Sequence, residues 1–191
     1  MEAMKHRFVK PLASLFAGIV VLAILLALPS SSQQVPNPKD VVSPVAYASL
    51  DPAGRGSSFQ IAVVLKIRHG FHINAREKSE EYLIATDLQA VPSAGFKVGE
   101  VAYPKGQLHS FSFSQTPLNV YEGTITLRVP VSALANAPLG PQRLPFKLRY
   151  QACNDELCLP PVRVDVDASL NVASAQSASR PAHPELFSLH K

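Results

Sequence analysis

The sequence has no tryptophan and only two cysteines among its 191 residues. It has no run of Lys or Arg and no basic stripe with interleaved aromatics, which argues against nucleic-acid binding. No Ser-His-Asp order, paired carboxylates or phosphate-cradling glycine loop stands out, so hydrolase and nucleotide chemistry have nothing to rest on. Two cysteines and a distant histidine do not make a zinc spacing. Two thiolates would suit Cu(I), but metal binding is the minor reading, and no metal or other cofactor is expected. Convincing helical periodicity is also missing from the body of the chain. Seventeen prolines with few helical runs favour strands joined by turns.

What is present begins with a leader. Lys5, His6, Arg7 and Lys10 precede an uncharged, almost wholly apolar stretch from Leu12 to Leu28, closed by Pro29 and Ser30-Ser31-Ser32. Residues 1–32 therefore read as a secretory signal peptide, with an uncleaved membrane anchor as the close alternative. Either way the body is expected outside the cytoplasm, periplasmic or otherwise extracytoplasmic, on the positive-inside rule. No cysteine follows the apolar segment, which excludes a lipoprotein anchor. The formal net charge of +4 falls to +2 without Lys5, Arg7, Lys10 and Glu2, so the basic balance belongs partly to the leader.

Residues 33–56 read as a linker and an early strand around Val45 to Leu50. Strict alternation follows. Phe59, Ile61, Val63, Leu65 and Ile67 share one parity; so do Ile125, Leu127 and Val129; Leu144, Phe146, Leu148 and Tyr150; and Val162, Val164 and Val166. A period of two marks half-buried strands. Weaker strands are expected at Tyr82–Leu88, Phe96–Tyr103 and Leu108–Phe113, separated by proline- and glycine-bearing turns. Seven or so short strands predict an all-β, immunoglobulin-like antiparallel sandwich over residues 57–172. From about Ala173 the composition turns to Ala, Ser, Pro and His, and a disordered tail over residues 173–191 is expected.

Cys153 and Cys158 flank Asn154-Asp155-Glu156-Leu157 at the mouth of a hairpin. In an oxidising compartment two such thiols tend to form a disulfide. Cross-linking so short a loop stabilises by only roughly 2 kcal/mol, against about 4.7 for a hundred-residue loop. That leans weakly toward chemistry over stapling, and both readings stay open. The spacing is not that of a thioredoxin-type pair, and Asp155 and Glu156 would raise a thiol pKa. Such a pair suits a disulfide attacked by a dedicated partner.

The run Tyr150-Gln151-Ala152-Cys153-Asn154-Asp155-Glu156-Leu157-Cys158-Leu159-Pro160-Pro161 resembles the active-site segment of the DsbD N-terminal domain family. Gly70-Phe71-His72-Ile73-Asn74, Lys97 to Pro104 and Val120-Tyr121-Glu122-Gly123 add supporting matches, so the resemblance spans roughly residues 40–170. It implies an immunoglobulin-like fold with a redox disulfide, Cys153–Cys158, at one end. It also implies a protein-disulfide reductase component. The partners would be thioredoxin-fold proteins: the donor domain of a membrane reductase, and a disulfide isomerase or a cytochrome-maturation thioredoxin as acceptors. The partner-linked sulfur would be that of Cys158. The sequence holds no multi-helix membrane domain and no second cysteine pair, so either a separate protein supplies the electrons or the domain has lost the relay role.

In that family an aromatic loop caps the disulfide, and Ser110-Phe111-Ser112-Phe113-Ser114 is the matching segment here. Phe111 and Phe113 share a parity and are read equally as cap or core. Tyr121 and Tyr150 are candidate site-lining residues, more simply read as core aromatics with partnered hydroxyls. Asp155 and Glu156 are a solvated turn or a partner-orienting pair; Pro160 closes the motif. His72 is read as a structural histidine. The competing function is an immunoglobulin-like interaction module whose disulfide only pins a hairpin.

Overall fold

The computed structural model describes residues 35–187. The signal or anchor segment expected over residues 1–32 lies outside them. No helix among the described residues is long and apolar enough to cross a membrane.

The parity read from the sequence sets the layers. Strand β3 (Ser58–Ile67) buries Phe59, Ile61, Val63, Leu65 and Ile67. It pairs on one side with β1 (Val42–Ala48) and on the other with β9 (Thr124–Ala133), which also holds β6 (Phe96–Val98). Pro44 sits in β1 at the sheet's edge, where a missing N–H disrupts no inner ladder. The second sheet runs β2 (Ala53–Gly54), β12 (Val162–Ala173), β10 (Gly140–Tyr150), β5 (Asp87–Ala90). Leu144, Phe146, Leu148 and Tyr150 of β10 face inward beside Val166, Ala168, Leu170 and Val172 of β12. Both sheets feed one buried cluster. Each Leu, Ile or Phe fully buried there stabilises by about 1.5–3 kcal/mol. The opposite parity stays polar: Lys147 lies across from Asp165 with Nζ 3.1 Å from Oδ1, and Arg143 pairs with Asp167. The pairing is antiparallel throughout except where β2 runs parallel to the end of β12. This is the expected all-β, immunoglobulin-like sandwich.

The weaker strands come out shorter than expected. Between Tyr82 and Leu88 only Asp87 and Leu88 are extended, and Tyr82 is exposed on a loop. That loop is tied down by Thr86, whose N–H and hydroxyl both donate to the Asn74 carbonyl. Leu108–Phe113 contains only β7 (Gln107–His109); the chain then turns, with Ser114 N–H donating to the Phe111 carbonyl. β6 ends at Val98, and the chain rejoins the sheet at Ala102, which bridges Arg128. The early strand begins at Val42, ahead of the expected Val45.

The stretch after Ala173 departs from the expected disordered tail. It runs back past the β1–β2 connection, where Asp51 N–H donates to the Arg180 carbonyl, Arg180 N–H to Pro52 and Ala182 N–H to Ser49. Composition hid this because the bonds that run along the stretch are backbone bonds, which any residue can make, joined by Ser179 Oγ accepting from Gly54 N–H and by His183 against Tyr47.

The long strands also project beyond the sandwich. β3 passes through a turn at Gly70 (φ +79°) into β4 (His72–Asn74); β8 (Leu118–Tyr121) passes through Gly123 (φ +65°) into β9; and β10 continues into β11 (Ala152–Cys153). Both glycines sit where a side chain would strain the backbone. The projecting ends form a small third sheet in the order β11-β4-β8-β7.

Candidate functional site

The small sheet carries the cysteines. Leu159 N–H donates to the Ala152 carbonyl at 2.8 Å, and Asn154 N–H donates to the Leu157 carbonyl at 2.9 Å. These two bonds bracket Cys153 and Cys158, making them a non-hydrogen-bonded pair, the type in which facing residues approach most closely. Their Cα atoms are 4.0 Å apart and their sulfurs are bonded. The loop between is held by Asn154, whose Oδ1 accepts from Glu156 N–H at 3.0 Å and Leu157 N–H at 2.8 Å. Asn154 thus turns the chain with its own side chain.

The two sulfurs have unequal surroundings. Cys153 is 1% exposed, whereas Cys158 lies on the surface with Asp155, Glu156, Leu157 and Pro160. Gln151 braces the pair from below: its Nε2 donates to the Leu159 carbonyl at 3.3 Å, and its Oε1 accepts from Ile84 N–H at 3.4 Å.

Across the β4–β11 ladder, Cys153 faces His72 and Ala152 faces Ile73. His72 is 2% exposed, and its Nε2 is buried without a hydrogen-bond partner. Burial pulls its pKa down to about 4; Asp155 nearby pushes the other way, and His109 adds to the fall. Phe111 stacks on the imidazole at 4.2 Å between ring centroids, and Phe113 stacks on Phe111 at 5.3 Å. Phe111 is held by the small cluster of Leu83, Leu118 and Val120, while Phe113 is half exposed. Of the two phenylalanines equally weighted from sequence, Phe111 is the inner ring and Phe113 the outer.

The structure does not bring Tyr121 and Tyr150 to the surface of the site. Both lie in the main core. Tyr121 OH donates to the Pro104 carbonyl at 2.9 Å and accepts from Arg76 N–H at 3.2 Å; Tyr150 OH donates to the Pro38 carbonyl at 2.9 Å. Burial raises the pKa of both phenols, that of Tyr150 to about 12. Asp155 borders a cleft shared with Arg68, His72 and Glu122. Among the described residues no group of three His, Cys, Asp or Glu side chains could hold a metal ion.

The family described as thiol:disulfide interchange protein DsbD, N-terminal, matches residues 39–169. The chain belongs to this family. The match takes in both cysteines, His72, the Phe111 loop and every strand of the small sheet. The DsbD N-terminal domain of Neisseria meningitidis, solved in the reduced form, is 21% identical over 80% of this chain and 100% of its own, with a TM-score of 0.45. The N-terminal periplasmic domain of ScsB from Proteus mirabilis is 14% identical over 80% of this chain and 54% of its own, with a TM-score of 0.50. No curated protein matches the chain. The DsbD N-terminal assignment makes this a thiol:disulfide interchange domain, and its cysteine pair forms a disulfide.

The sequence reads His72 as a structural histidine, and the structure places it directly opposite Cys153. Its signal was present, since Gly70-Phe71-His72 lies in a segment that resembles the family. Only the ladder register showed which residue it faces.

Proposed function

We propose that the domain relays electrons outside the cytoplasm, in the periplasm, from a thioredoxin-fold donor to exported thiol proteins, through the Cys153–Cys158 disulfide. The donor is the thioredoxin-like domain of a membrane reductase. The acceptors are a disulfide isomerase or a cytochrome-maturation thioredoxin. One observation carries the reading: an exposed residue, Cys158, is disulfide-bonded to a buried one, Cys153, at the projecting end of the sandwich.

The inequality of the sulfurs orders the chemistry. A donor thiolate attacks Cys158 Sγ, the sulfur it can reach. The Cys153–Cys158 bond breaks, a mixed disulfide forms at Cys158, and the electron pair leaves on Cys153 Sγ. The donor's second thiolate then attacks the mixed disulfide, closes the donor's own disulfide and releases Cys158 as thiolate. Two electrons have moved from donor to domain. The same steps in reverse reduce the acceptor. Phe111 and Phe113 serve as the cap that slows attack by small thiols, and Asp155, Glu156 and Pro160 border the face a partner would meet.

Trapping tests this. Cys153→Ala leaves Cys158 to form a stable mixed disulfide with a thioredoxin-fold partner, whereas Cys158→Ala leaves a buried sulfur that forms little. If neither variant traps any such partner, the relay is wrong, and the disulfide pins a hairpin in an interaction module.

A further inference from the structure

Directly opposed residues of an antiparallel ladder project to the same face, with Cβ atoms about 4.5–5.5 Å apart. Cys153 and His72 are such a pair. An imidazole with a buried, unpartnered Nε2 therefore stands beside the sulfur that leaves when the disulfide opens. Nε2 is itself closed to solvent, and Phe111 covers the face of the ring. A buried polar atom without a partner is costly, a cost that an apolar aromatic ring of similar size would avoid.

We propose that His72 is the charge partner of Cys153: when the Cys153–Cys158 bond breaks, its imidazole takes up a proton and holds the Cys153 sulfur as a thiolate by an N–H···S hydrogen bond. The proposal rests on the relay reading for its biological use, though its chemistry needs only a reducible disulfide. The balance is simple. Opening the bond places an electron pair on Cys153 Sγ; a neutral imidazole donates its hydrogen bond; a proton from solvent then enters the ring, and the imidazolium stays paired with the thiolate. Oxidation reverses this: the Cys153 thiolate attacks Cys158 and the imidazolium returns its proton to solvent.

The other charged groups near the ring frame the effect. Asp155, from the cysteine loop, favours imidazolium, and His109, from β7, disfavours it. His109 is itself paired with Glu122, Nδ1 to Oε1 3.2 Å. Lys66, Arg68, His69 and Glu122 line the cleft that His72 shares with Asp155. Asp155 and these groups face His72 with the disulfide intact. The thiolate exists only in the reduced state.

The test follows the His72 ring resonances of the full chain by NMR, assigned with His72→Gln, from pH 8 to pH 4. Spectra are taken with the disulfide intact and after reduction by a phosphine. Reduction is expected to raise the proton affinity of His72 at least tenfold, moving its midpoint up by one pH unit or more, while His109 moves far less. In parallel, His72→Gln should flatten the pH profile of disulfide reduction by dithiothreitol between pH 5 and 7 without changing the folded spectrum. An identical His72 midpoint in both redox states, or loss of the folded spectrum on reduction, would overturn the proposal. A phosphine opens the bond whatever the natural partner is. A failed trap with an altered His72 midpoint would therefore sink the relay alone, and a successful trap with an unaltered midpoint would sink the His72 role alone.

Discussion

Cys153 and His72 face each other across the two-residue ladder that joins β11 to β4, both almost fully buried. The burial of His72 there ties the stability of the oxidised domain to pH. The folded pKa of His72 is held near 4, below the unfolded value of about 6.5, so the unfolded chain binds the extra proton first. The stabilisation of the neutral ring is full above pH 6.5 and is lost as pH falls toward 4. It amounts to at most about 3 kcal/mol. Denaturant unfolding at pH 7 and pH 4.5 should show this loss in the native chain and a smaller one in His72→Phe. Equal losses would place the acid sensitivity elsewhere.

Tyr150 anchors the start of the described chain to the sandwich. Its hydroxyl donates to the carbonyl of Pro38, in the 3-10 turn Pro38–Asp40 just ahead of β1. Tyr150→Phe removes that bond and should cost about 1 kcal/mol by chemical denaturation. With the phenol pushed up to about 12, the unfolded chain ionises first above pH 10, so stability falls between pH 10 and 12. Tyr150→Phe should fall less steeply there.

The two stacked phenylalanines should separate by their depth. Phe111 packs against both His72 and the Leu83, Leu118, Val120 cluster, whereas Phe113 touches it from outside. Phe111→Ala is expected to destabilise by about 2–3 kcal/mol and to speed reduction of the disulfide by dithiothreitol several-fold. Phe113→Ala should change stability by under about 0.5 kcal/mol and the rate less. Equal rates in both variants and the native chain would show that neither ring shields the bond.

Asn154 shapes the cysteine loop through one oxygen that accepts two N–H groups. Asn154→Ala should lower stability by about 1 kcal/mol and make the disulfide easier to reduce, because the loop that holds the two sulfurs together loosens. Asn154→Asp keeps the acceptor and should stay close to the native chain in both measurements. A loss of equal size in both variants would point to the amide N–H instead.

The sandwich could be read from the sequence because its strands have one wet and one dry face. Phe59 to Ile67 and Leu144 to Tyr150 announce their inward side by parity, and the structure buries it. The cysteine loop could be read because two cysteines with Pro160-Pro161 are a specific local pattern. The small sheet could not. Its strands are two to four residues long, too short for a period to show, and they form by pairing residues as distant as Cys153 and His72. The histidine's position opposite a cysteine is a fact of register, which no local pattern carries. The run from Ala173 was likewise opaque, since many of the bonds that hold it are backbone bonds, which leave no mark on composition.

The most direct measurement is the equilibrium reduction potential of Cys153–Cys158 in the full chain, followed together with its folded spectrum. A value between about −180 and −270 mV with the fold retained is expected, because that span allows exchange with thioredoxin-fold partners. A value below about −300 mV, with unfolding on reduction, would contradict the relay and leave the disulfide as a staple.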